Sequence, residues 1–449
     1  MALDGLAGAR SRANAPASQV GMGMRSRASA LPQRASPRGT TRLLALAMLL
    51  WALACATPAA AQAVAPTVAV PRIGVATMQP GEIFWERFGH DAIVVDDPAR
   101  GEPVSYNFGF FDLDEPGFIG RFVRGEMEYQ LVALPLSHDL VYYRQTGRGV
   151  SIQWLDLDDD QARDLAAALE RNARPENARY RYDYFTDNCA TRVRDALDRA
   201  LDGALRRQME PRSLGNTYRS EAVRLVSPAR WLALGFELGF GPYADLPRTR
   251  WEDAFVPMRL AESLREARRA DGRPLVREEQ QLLPHRLPPE PAAHAQRWWP
   301  GLLVGLALAA AAFALGRTRP RQALWIALPT WALALALGGL MAFLWAFTAH
   351  RAGWANHNLL LFNPACALLL PGAWRLLRGR DPGRLFRIVL ALVAAGAVLS
   401  LFLLWLPVHP QRNAPWIALL LPVHAALWAL LGRAGLADDR APAQDPAHA

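Results

Sequence analysis

Five long apolar runs fill the last third of the chain, and they restrict its fold more than any other feature. They occupy residues 299–316, 323–348, 358–374, 385–406 and 414–431. About 20 apolar residues match the hydrocarbon core of a bilayer, in which a helix satisfies its own backbone groups. Residues 298–433 are therefore expected to form an all-α transmembrane bundle of about five helices. The arginines orient it. Arg317, Arg319 and Arg321 separate the first two runs, and Arg375, Arg378, Arg380, Arg384 and Arg387 lie between the third and the start of the fourth. The alternate loops hold only Arg351 and Arg412. Positive residues stay inside, so the Arg-rich loops and the C-terminus are expected in the cytoplasm, and the chain before Trp299 outside. Trp298 and Trp299 stand where an interfacial aromatic anchor belongs. Residues 434–449 read as a disordered cytoplasmic tail.

The other end of the chain agrees with this orientation. Residues 1–42 carry seven Arg and one acid, residues 43–56 are apolar, and Ala61-Gln62-Ala63 follows. These are the parts of a secretory signal peptide over 1–63, with a long basic n-region in which Met22 or Met24 is an alternative start. Its apolar run is too short for a span. The expected location is a bacterial inner membrane with the soluble part in the periplasm. Net charge is +9, yet residues 43–298 hold 31 Arg against 36 acids. An acidic soluble region argues against nucleic acid as a partner. The chain has no lysine, which excludes a lysine Schiff base, and three cysteines, too few for a disulfide framework.

Residues 64–283 read as one mixed α/β domain. Alternation predicts strands over 73–78, 90–95, 104–110, 128–134 and 150–157, and helices fit 158–172, 189–201 and 258–270. Four prolines within 284–297 read as a stiff linker.

Cys189, in Asp187-Asn188-Cys189-Ala190-Thr191-Arg192, is the one thiol expected in the exported domain. Asp187 or Asn188 can cap the helix that follows, leaving Cys189 in its first turn, where the helix dipole favours a thiolate. The same residue also reads as a small buried hydrophobe. His90, in Phe88-Gly89-His90-Asp91, shares a strand face with Ala92 and Val94. If the cysteine helix packs on that face, His90 can serve as base to the thiol. Asn107, on the next strand, could orient the imidazole through its amide oxygen, and equally reads as turn chemistry beside glycine. No H-E-x-x-H, C-x-x-C or clustered carboxylate and histidine pattern occurs, so neither a metal nor a cofactor is expected. Gly147-Arg148-Gly149 is too short for a phosphate loop. Asp156 and Asp158–160 read as a helix cap and first turn. A second polar cluster, His350, Arg351, Trp354, Asn356, His357 and Asn358 with Asn363, falls in the outer loop before the third run. It reads as interfacial anchoring or as a substrate-binding element, for which His357, Asn358 and Asn363 are the candidates.

Phe88-Gly89-His90, Tyr106-Asn107-Phe108-Gly109 and Asn188-Cys189-Ala190-Thr191-Arg192 with Asp195 resemble the Lnb N-terminal periplasmic domain family. His357-Asn358-Leu359-Leu360 with Asn363-Pro364 resembles its membrane part. Histidine before cysteine also resembles the circularly permuted papain-like, NlpC-like group. The resemblance implies an α+β papain-like domain followed by the helical bundle, with Cys189 as nucleophile, His90 as base and Asn107 loosely as third residue. It further implies acyl transfer from a phospholipid donor to the N-terminal amine of a lipid-modified lipoprotein acceptor. Two other readings stand beside it: a periplasmic cysteine peptidase or amidase acting on cell wall, and a non-catalytic envelope protein that binds lipid or a partner.

Overall fold

A computed structural model describes residues 69–293, 296–406 and 410–433. The expected signal peptide and C-terminal tail lie outside the described residues.

The alternating segments build a seven-stranded sheet in which every pairing is antiparallel. Its strands are β1 (Arg72–Met78), β2 (His90–Asp96), β3 (Val104–Phe110), β4 (Glu128–Pro135), β5 (Val150–Leu155), β6 (Arg179–Arg181) and β7 (Val276–Leu283), in the order β6-β4-β3-β2-β1-β5-β7. The five predicted strands are present. Both edges were missed, because β6 has three residues and β7 reads Val-Arg-Glu-Glu-Gln-Gln, a charged pattern that suits an exposed edge.

Seven helices of the sheet domain matter for the site: α1 (Phe118–Arg124), α2 (Leu136–Gln145), α3 (Asp159–Asn172), α4 (Cys189–Ala200), α5 (Tyr218–Val226), α6 (Arg230–Gly239) and α7 (Pro257–Glu266). One sheet face, with Ile73, Val75, Ile93 and Val95, is covered by α3, α4 and α7. On the other face Ala76, Met78, Ala92 and Val94 pack against Leu136 and Tyr143 of α2. Helix α7 ends at Glu266, short of the predicted 270, because the chain turns back at Gly272 and Leu275 N–H bonds the Ala267 carbonyl. A third cluster, with Phe185, Tyr218, Ala222 and Phe255, joins α5 to the sheet domain.

The membrane part contains α8 (Trp299–Gly316), α9 (Leu324–Phe347), α10 (Leu370–Leu377), α11 (Arg384–Leu403) and α12 (Ala414–Leu431). Five segments are long and apolar enough to cross a membrane. The third, His357–Leu377, is not one α-helix. Two 3-10 stretches, His357–Leu360 and Pro364–Leu369, precede α10, and the prolines at 364 and 371 each begin a new turn without an N–H to donate. Irregular backbone at membrane depth requires protein cover, which α9 and α11 supply. Small residues bring the helices close. A Cβ on Gly305 of α8 would stand 2.3 Å from the Leu419 carbonyl of α12.

Candidate active site

Helix α4 starts at Cys189 because Asn188 ends the preceding loop with several hydrogen bonds. Its Oδ1 accepts the Thr191 N–H at 3.0 Å, and Thr191 Oγ1 accepts the Asn188 N–H at 2.7 Å. The Asn188 amide also donates to the carbonyls of Tyr184 and Phe255, each at 2.9 Å. The cap and the thiol's position are therefore fixed from three directions. Asp187 pairs with Arg192. Opposite Cys189, β3 passes through Gly109 at φ 93°, beside the irregular register between Asn107 and Phe110. The Cβ of Cys189 lies 3.8 Å from where a side chain at Gly109 would begin.

His90 is the first residue of β2. Its Nε2 lies 3.0 Å from Asn107 Oδ1. The Asn107 amide nitrogen donates to Asp139 Oδ2 at 2.9 Å and to Ser105 Oγ at 3.1 Å. An amide whose nitrogen donates twice must accept at its oxygen, which assigns the ring proton to Nε2 and leaves Nδ1 as the basic nitrogen. Asp139, Asn107 and His90 thus form a continuous chain.

The sheet face of His90 differs from the expectation. Helix α4 covers the face of Ile93 and Val95, whereas His90 shares the opposite face with Ala92 and Val94. Cys189 and His90 both line one cavity of about 620 Å³. No hydrogen bond joins them among the described residues; the backbone N–H groups of Asp91 and Ala190 near the sulfur favour its thiolate form. Electrostatics correct a second expectation. Burial, reinforced by the neighbouring Asp91, pushes the thiol up to about 11, so desolvation outweighs the helix start. Burial pulls His90 down to about 3 against the opposing Asn107 hydrogen bond. The pair rests neutral.

Three charged residues at the site escaped the sequence reading. Asp91 is fully buried, accepts from Thr77 Oγ1 at 2.8 Å, and is pushed up to about 7 by burial. Its signal was a carboxylate alternating with Ile93 and Val95. Asp139, on α2, is buried and raised by burial. Arg148 lies 3.5 Å from Glu86 Oε1 and donates to the Gln79 carbonyl, while its Nη2 has no hydrogen-bond partner among the described residues. Arg148 lines the cavity and contributes to holding His90 neutral.

Away from these groups the cavity is apolar and aromatic, with Phe84, Phe111, Phe122, Met127, Phe236 and Leu344 among its walls. His350 to Gly353 of the membrane loop close one side. His357, Asn358 and Asn363 are not among the walls of this cavity. Asn358 is fully buried and its amide is spent. It donates to the Leu238 carbonyl at 3.0 Å and accepts from Asn413 at 3.1 Å. Asn356 bonds the Leu238 and Gly239 carbonyls and accepts from Gln411. The His357 N–H donates to Gln411 Oε1 at 2.8 Å, and Asn363 caps the turn that begins at Pro364. This network clamps the end of α6 to the membrane loop.

The class defined by this arrangement is a membrane-embedded protein with an α+β domain, whose cysteine and histidine open onto a cavity shared with the membrane loop. The chain belongs to the Lnb family: residues 63–223 match the Lnb N-terminal periplasmic domain and residues 300–432 the Lnb transmembrane domain. It is accordingly an inner-membrane protein with a periplasmic domain. No curated protein and no solved structure matches the chain.

Proposed function

We propose that this protein is a thiol acyltransferase, built on a permuted papain-like domain, that moves an acyl chain from a phospholipid to the N-terminal amine of a lipid-modified lipoprotein. The carrying observation is the cavity. A thiol and an imidazole line an apolar, aromatic-walled space of about 620 Å³ that residues 349–353 of the membrane loop also line. Such walls suit a hydrocarbon chain. A cell-wall peptide would leave its amides unpaired there, which disfavours the amidase reading.

In the first half-reaction His90 Nδ1 takes the thiol proton as Sγ attacks the ester carbonyl carbon. Neither group is charged beforehand, so the proton moves during attack rather than in a resting ion pair. The carbonyl oxygen gains charge that the Cys189 N–H, at the helix start, receives. The ester C–O bond breaks, the leaving lysophospholipid oxygen takes the proton from His90, and Cys189 holds a thioester. The lipoprotein amine then attacks that carbonyl, His90 accepts the amine proton, the C–S bond breaks and the proton returns to sulfur. Asn107 holds the ring with Nδ1 free, and Asp139 holds Asn107.

Mass spectrometry of lipoproteins tests the reading. Cells with this protein as their sole acyltransferase should yield N-acylated lipoproteins, and Cys189→Ala should yield none. A hydroxylamine-sensitive acyl group should appear on wild-type Cys189. Undiminished N-acylation in Cys189→Ala would leave the domain a binding scaffold.

A further inference from the structure

Two helices of the sheet domain turn apolar side chains outward. On α1, Ile119 is 64% exposed and Val123 44%. On α6, Trp231 is 75% exposed and Leu234 51%. Exposed apolar patches of this kind mark contact with a membrane or a partner. Their attachment distinguishes the two. The Arg124 carbonyl of α1 accepts the Ala349 N–H at 2.7 Å, and His350 Nε2 bonds the Phe122 carbonyl at 3.0 Å. A side chain at Gly125 would come within 3.0 Å of the Ala349 backbone, so the approach is close. On α6 the Leu238 and Gly239 carbonyls accept from Asn356, and just past its end Gly241 N–H donates to the Ala352 carbonyl. Both helices are therefore fixed to residues 349–356, directly after the span that ends with the exposed Phe347. Both also wall the cavity, through Phe118 and Phe122 on one side and Leu232 and Phe236 on the other. Arg351 lines it between them and has no ion pair among the described residues.

We infer that α1 and α6 are lips immersed in the outer face of the bilayer, and that the acyl chain of an outer-leaflet phospholipid passes sideways between them into the cavity. An interfacial helix buries its apolar face at the boundary of headgroups and chains. Ile119, Val123, Trp231 and Leu234 supply that face. Arg351 meets the lipid phosphate while the chain runs inward toward Cys189. Identifying the occupant as an acyl donor rests on the function proposed above; the immersion of the lips does not.

The full-length protein, with its three native cysteines replaced by alanine, can carry a nitroxide at Ile119→Cys, Trp231→Cys or, as a soluble control, Leu214→Cys. In phosphatidylglycerol/phosphatidylethanolamine nanodiscs, positions 119 and 231 should favour collision with oxygen and position 214 with a water-soluble nickel chelate. Water-type accessibility at 119 and 231 overturns the lips. A phosphatidylethanolamine with a diazirine in its chain should crosslink to Phe122, Phe236 or Leu344, and Ile119→Asp with Leu234→Asp should lower that yield roughly tenfold. Immersed lips without cavity crosslinks would overturn the sideways route. Immersed lips and cavity crosslinks, with full turnover in Cys189→Ala, would leave this inference standing while the catalytic reading fails.

Discussion

A neutral thiol at about 11 beside a neutral imidazole at about 3 differs from a preformed ion pair in how it responds to pH. In a background lacking the other two cysteines, alkylation of Cys189 by iodoacetamide should speed up about tenfold per pH unit to pH 9 without levelling off. A plateau below pH 7 would instead show a resting thiolate. Turnover depends on the proton acceptor. His90→Ala should lower acyl transfer about 10²–10⁴-fold, and adding Cys189→Ala should cost little more, since the two act as a unit. Asn107→Ala and Asp139→Asn orient the ring rather than accept its proton. Each should reduce kcat by a smaller factor than His90→Ala, with alkylation of Cys189 unchanged. Stability should also depend on pH, in opposing directions. Asp91 is raised from 3.8 to about 7, so its contribution is present below the lower value and lost as pH rises through the upper. His90 is lowered from 6.5 to about 3, so its contribution is present above the upper value and lost as pH falls through the lower. Asp91→Asn leaves the His90 effect alone, and thermal melting of that variant should rise between about pH 4 and 6.5 more steeply than wild type.

At the scale of elements, the clamp between α6 and the membrane loop decides how the cavity is closed. Asn358→Ala leaves the Leu238 carbonyl and the Asn413 amide short of a buried partner, a loss of about 1–3 kcal/mol. Its thermal midpoint in detergent should fall, and transfer activity should fall with it as the loop 349–353 loosens. Asn363→Ala removes one turn cap and should cost about 1 kcal/mol. If both variants keep wild-type stability yet lose activity, the two residues touch substrate after all. Strands and helices with strong periodicity were legible beforehand, because burial on one face imposes a period of two or near 3.6. The segments that escaped include α1, α2, α5 and α6 and the edges β6 and β7. Helices α1 and α6 are short, and both carry apolar residues on their outward faces, so neither presents the pattern of a soluble amphipathic helix.

The whole molecule places the loops carrying Arg351 and Arg412 against the sheet domain; the Arg412 N–H bonds Asp245 at 2.9 Å. With five spans, the chain after Leu431 should then emerge on the side of the Arg-rich loops. A reporter active only in the cytoplasm should work when fused to the C-terminus, and one active only in the periplasm should not.

Sequence alone determined the membrane-spanning runs, the central strands and the choice of Cys189 and His90 as candidates, since hydropathy, alternation and an isolated thiol are local properties. The tertiary structure decided what those residues are. His90 lies on the face away from α4, yet the cysteine and histidine line one space together with Gly109, where the register of β3 is irregular. Burial reversed the effect that a helix start alone would have had on the thiol. The polar residues at 357, 358 and 363 became a clamp and a cap because their partners, Leu238, Gln411 and Asn413, come from distant parts of the chain. Desolvation and hydrogen-bond partnership depend on what folds against a residue, and a linear pattern does not record that.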